Sequence, residues 1–154
     1  MSCPVISRDE ICDGIAHNLG RGDKDLLTWL AFDAFFRVLQ LHASCGVTVV
    51  ADAAFQDLRW RTGLRSILPL AEVKIVHCTV DPPIARQRVA ERRLARHSAT
   101  RIQHDSVTAG ADEPSSADSP PFEPLSLPLP SLAVATADGY APGIDEIVAF
   151  VASR

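Results

Sequence analysis

The sequence predicts an α/β fold with a mainly parallel sheet, on two observations. Short, nearly continuous apolar runs rich in β-branched residues alternate along the chain with longer segments of helical period. Two of those runs, "VTVVADAAF" and "VKIVHCTV", have no polar alternation, which is the pattern of strands covered on both faces. With 154 residues, 47% of them hydrophobic, one domain with its own core is expected. No internal repeat is visible.

Pro4 to Ser7 is predicted as a short strand, and Ser7 or Asp9 can cap the helix after it, because a short oxygen-bearing side chain accepts from free first-turn amides. Gly20-Arg21-Gly22-Asp23 ends that helix. Leu27, Ala31, Ala34, Val38 and Leu41 recur at spacings of four and three and so define one face of a second helix. Gly46 stops it, and Val47 to Phe55 forms the first covered strand. Arg59 to Leu70 is a third helix, closed near Pro69. Val73 to Val80 is the second covered strand, ended by Asp81-Pro82-Pro83, which cannot continue a ladder.

Ile84 to about Arg101 is a strongly basic helix. Beyond it the composition changes: six of the eleven prolines fall between Pro114 and Pro130, so 105–131 reads as an extended or mobile Pro/Ser-rich connection. Leu132 to Thr136 is the last strand and Asp138-Gly139 a turn. Gly143 to Ala152 is a terminal helix with Ile144, Ile147, Val148 and Val151 inward.

A net charge of −4 gives no overall basic field to draw the molecule onto nucleic acid or an anionic membrane, so any phosphate-binding surface must be local. Asp33, Arg37 and His42 interrupt the most apolar stretch and argue against a membrane span. Cys3, Cys12, Cys45 and Cys78 form no C-x-x-C pair and follow no apolar leader, which predicts reduced thiols and a cytoplasmic protein. His17, His42, His77, His97 and His104 lack ligand spacing, so no zinc site is expected.

Taken in order, "PVISRDEI", "GVTVVADAAF", "VKIVHCTVDPPIARQRVAERR" and "FEPLSLPLPSLAVATADGYAPGIDEIVAFV" resemble bacterial P-loop kinases of the AAA-type ATPase-like group. The resemblance extends to polynucleotide kinases, gluconate kinases, chloramphenicol phosphotransferase and zeta-toxin kinases. It implies a three-layer P-loop NTPase-like parallel sheet of strand order 2-3-1-4-5. In that family a strand, a G-x-x-x-x-G-K-[ST] loop and a helix precede the counterpart of "PVISRDEI". No such loop occurs in these 154 residues, and Gly20-Arg21-Gly22-Asp23-Lys24 has neither its spacing nor a preceding strand. The expectation is therefore a single truncated domain over 1–154, lacking strand 1, from an incomplete gene model or a truncated gene. Its exposed strand edges would favour self-association.

The resemblance also implies ATP and Mg²⁺ as cofactors and a hydroxyl acceptor, either a small molecule or a nucleic-acid end. Without the loop's amides and Lys, this chain is not expected to transfer phosphate efficiently. Asp9 matches the position of the carboxylate that accepts the acceptor's proton, with a helix cap as the structural alternative. Three residues on, where the family often carries a basic residue, stands Cys12. Asp52 resembles an acidic residue near Mg²⁺ or substrate, against a plain strand-end turn. Arg59, Arg61 and Arg65 are substrate contacts or solvated charges.

Arg88, Arg92 and Arg96 share a helical face, with Arg86 and Arg93 beside it and only Glu91 to offset them. The resemblance makes 84–104 the lid and Arg88 and Arg92 its phosphate ligands; a solvated basic face is the alternative. Tyr140 and Pro142 would border the adenine or simply pack a turn, and Ala135 stands where the family often has Asp. A non-catalytic remnant that binds an anion or a protein through the arginine helix is the second functional reading.

Overall fold

The computed structural model describes residues 3–19, 23–55, 57–103 and 125–153. The order is β1 (Val5–Ser7), α1 (Arg8–Leu19), α2 (Lys24–Ser44), β2 (Val50–Asp52), α3 (Asp57–Arg65), β3 (Ile75–Thr79), α4 (Pro82–Gln103), β4 (Ser131–Ala135) and α5 (Ile144–Ala152). The mixed α/β class and the parallel pairing are as expected: β1 pairs in parallel with β2, and β3 with β4. The chain divides into two compact units, Met1–Val73 with Phe122–Leu129 and Lys74–Pro121 with Pro130–Arg154.

In the first unit, α2 starts where Asp23 accepts from the amides of Asp25 and Leu26 at 3.0 and 3.1 Å, a side-chain cap for two orphan donors. The face it buries is not the expected one. Ala31, Phe35, Phe36 and Leu39 are enclosed, whereas Leu41 is 62% exposed. Phe35 and Phe36 fix this rotation by burying their large apolar rings, while Trp29 on the same helix stays exposed. They close around α3: Phe35 and Trp60 meet edge-on with centroids 5.8 Å apart, and Phe32 and Phe55 lie 5.1 and 4.8 Å from the same indole. Leu64 and Ile67 complete the core, with Ile6, Val49, Ala51, Leu125 and Leu127 packed against it.

α3 ends at Arg65, earlier than Leu70, because the chain tightens to three-residue bonds from Ser66 to Gly63 and from Ile67 to Leu64 before Pro69. β2 is also shorter than Val47 to Phe55, since the ladder holds only Val5↔Val50, Ile6↔Ala51 and Ser7↔Asp52. Nor is the pair covered on both faces. Ile6 and Ala51 turn to the core while Val5 and Val50, at 61% and 47% exposure, lie on the other side.

In the second unit, β3 and β4 run in register from Ile75↔Ser131 to Thr79↔Ala135, and Val134 is the buried centre. Val76 remains partly exposed, again unlike a strand covered twice. Pro82 and Pro83 fall in the first turn of α4, where a missing N–H costs nothing. α5 departs from expectation: Ile144, Val148 and Val151 face outward, and Ile147 and Phe150 are its half-buried positions. Lys74 Nζ reaches the carbonyl oxygens of Phe150 and Val151 at 3.1 and 3.3 Å, satisfying orphan acceptors at that helix end. Residues 104–124, the larger part of the expected connection, lie outside the described residues; 125–130 lead directly into β4.

Candidate functional site

Two groups of the expected site residues are brought together, one in each unit. In the first unit, the parallel register places Asp52 opposite Ser7, and Asp9 follows Ser7 by two residues in the first turn of α1. Both carboxylates therefore leave the same, carboxyl end of one strand pair, the end at which open α/β sheets bind ligands. Asp9 lies within the helix instead of capping it, where the positive end of the helix favours an anion. Its side chain is 85% exposed and accepts from Arg8 Nη1 at 3.1 Å. Arg8 is 23% exposed, and its Nε meets no acceptor among the described residues.

Sequence reading passed over Arg8, whose only signal was its place beside Asp9 at a strand end. Cys12, half-buried, lies one turn along α1. Asp52 is exposed and forms no ion pair among the described residues, so it carries none of the desolvation cost that a covered strand would impose.

Of the α3 arginines, only Arg61 has a described side-chain partner. Arg61 bonds to Ser126 Oγ and Arg65 is exposed, while the side chain of Arg59 lies outside those described.

In the second unit, Arg88 Nη2 donates to the carbonyl oxygens of Thr136 and Ala137 at 2.7 and 2.9 Å. Arg92 is exposed, one turn along, with its Nε 3.3 Å from Arg88 O. Arg86 is exposed too, and Glu91 accepts from Gln87 at 2.9 Å. The side chains of Arg93 and Arg96 lie outside those described. Tyr140 is exposed on the turn that Arg88 grips, between Gly139 at φ 77° and the cis bond from Ala141 to half-buried Pro142. Ala135 ends β4 and pairs with Ala141.

Among the described residues no cluster of three metal-ligating side chains occurs, and no helix is long and apolar enough to cross a membrane. Asp52, exposed at the strand end, suits Mg²⁺ held otherwise by water and phosphate, which needs only one or two protein carboxylates. A triphosphate does not fit the same way, because the backbone cradle and its Lys are not encoded in these residues.

The family model described as AAA domain matches residues 2–114. The solved structure of "a putative kinase" from Chloroflexus aurantiacus is similar over 97% of this chain and 82% of that one, with a TM-score of 0.70 at 18% identity, a likeness of fold. No curated protein matches the chain significantly.

Proposed function

The chain belongs to the AAA domain family, a P-loop kinase-like family, and from that premise we propose that it is the acceptor-side and lid portion of an ATP-dependent phosphotransferase acting on a hydroxyl. The observation that carries this reading is the shared position of Asp9 and Asp52 at the carboxyl end of β1 and β2. There Asp9, exposed and steered by Arg8, takes the proton of an acceptor hydroxyl, and Asp52, at the same strand end, holds Mg²⁺ or substrate. When bound, ATP·Mg²⁺ supplies the transferable group and its charge neutralisation. Arg92 offers α4's exposed charge to phosphate, and Tyr140 borders the base. The description of the Chloroflexus aurantiacus protein as a kinase supports this assignment.

In the same reading, β1 and β2 correspond to the family's strands 2 and 3 and β3 and β4 to its strands 4 and 5, and these 154 residues encode no counterpart of its strand 1 and phosphate loop. Transfer by this chain alone is consequently inefficient, since the positioned amides and Lys supply much of the electrostatic stabilisation. The acceptor is a small molecule or a nucleic-acid end.

The test is to read the coding frame ahead of Met1. An in-frame apolar strand followed by G-x-x-x-x-G-K-[ST], in a product that transfers radiolabelled phosphate from ATP and loses that activity in Asp9→Asn, supports the enzyme. A stop codon or unrelated sequence supports the second reading, a non-catalytic remnant binding an anion or a protein. The exposed Arg86 and Arg92, with Glu91 already bonded to Gln87, are what favour that alternative.

A further inference from the structure

We infer that Arg88 is a positioning residue: it seats the turn that carries Tyr140, and the anion-facing charge of α4 is left to Arg92 and Arg86. Its bearing on nucleotide binding rests on the function proposed above; the geometry does not.

β4 ends at Ala135, and Thr136 folds back on β3, giving both its amide and its Oγ1 to Thr79 O at 2.8 and 3.0 Å. The chain then turns through Gly139, whose φ of 77° suits a residue without Cβ, and returns so that Ala135 and Ala141 exchange two backbone bonds at 2.8 and 3.0 Å. This closed loop leaves the carbonyls of Thr136 and Ala137 on its flank. Arg88 fills that flank: one Nη serves both oxygens and so fixes two successive peptide planes.

Burial agrees with geometry. Arg88 is half-buried, whereas its neighbours Arg86 and Arg92 are exposed. To bind an anion through that Nη, Arg88 would have to release bonds that hold the loop. Arg92 would give up only a long contact to the Arg88 carbonyl, at 3.3 Å. Of the two arginines matched by their place on the helix, Arg88 is thus the one already engaged by the fold.

Tyr140 is the protein's single tyrosine, so 3-fluorotyrosine gives one fluorine NMR signal that reports on the turn. Arg88→Gln is expected to shift or broaden that signal and to accelerate amide exchange over 136–141 by about tenfold. Arg88→Lys, which keeps a donor but loses the planar fork, restores both in part. Arg86→Gln and Arg92→Gln leave both unchanged. Millimolar pyrophosphate leaves the wild-type signal in place. An unchanged signal and exchange rate in Arg88→Gln would overturn the inference. So would a pyrophosphate-induced shift in the wild type that Arg88→Gln abolishes, because Arg88 would then be the anion ligand. If Arg88→Gln fails to fold, the same comparison is made with Arg88→Lys. A failed kinase reading appears in the transfer assay and leaves the tyrosine signal untouched.

Discussion

Ser7 and Asp52 are Cα partners on the last rung of the β1–β2 ladder, so the chain leaves both strands at one level and in one direction. Asp9 and Asp52 follow from that pairing. A one-residue slip would turn the strand's side chains to the opposite face, so the register that buries Ile6 and Ala51 also sets the position of Asp52.

Asp9→Asn separates a chemical role from a structural one. Its carboxylate is exposed and, among the described residues, paired only with Arg8, and a surface pair of this kind contributes about 0–1 kcal/mol. The substitution is expected to change stability by less than about 0.5 kcal/mol. A helix-capping Asp would cost about 1 kcal/mol or more on replacement by a residue that cannot cap. Because Asn can itself cap, Asp9→Ala is the companion variant, and urea denaturation of both reads the difference.

Phe35→Ala and Leu41→Ala test which face of α2 holds the core. Phe35 is fully enclosed among Phe36, Phe55 and Trp60, and its loss is expected to cost about 3–5 kcal/mol. That is a large share of a typical domain's roughly 5–15 kcal/mol. Leu41→Ala, at an exposed site, should stay within about 0.5 kcal/mol. Chemical denaturation followed by tryptophan fluorescence gives both values.

This contrast shows where sequence reading succeeded. The order of helices and strands was legible because period and breakers are local properties: Gly46, Pro69 and Asp81-Pro82-Pro83 punctuate the chain wherever it folds. The rotation of α2 was not legible, because Leu27, Ala31, Ala34, Val38 and Leu41 make as regular a stripe as Ala31, Phe35 and Leu39. Only the partner, Trp60 on α3, decides between them. The apolar runs suggested strands covered twice, yet a run cannot say how many neighbours a strand has; Val5 and Val50 lie open.

For the candidate site the sequence offered only a resemblance: Asp9 and Asp52 were singled out by their match to family positions, and the structure places both at one end of one strand pair. Arg88 and Arg92 look equivalent in a helical repeat. The carbonyls that distinguish them, on Thr136 and Ala137, are 48 and 49 residues further along the chain from Arg88.

Gly63→Ala tests the closeness of α2 and α3. A methyl at Gly63 would overlap the Phe36 ring, so the usual gain of about 1 kcal/mol for Ala over Gly inside a helix should be outweighed by an overpacking cost of about 1–3 kcal/mol. A net loss of stability is expected, relieved when Phe36 is also replaced by Leu. A double-mutant cycle measured by denaturation reads that coupling.

Calorimetric titration of ATP·Mg²⁺ into the 154-residue chain tests the central claim most directly. The account assigns these residues an acceptor-side carboxylate pair and a basic helix, but no backbone cradle for a triphosphate. It predicts dissociation constants no tighter than about 1 mM, equivalent to about −4 kcal/mol. Saturable binding near 1 μM, about −8 kcal/mol, would contradict it.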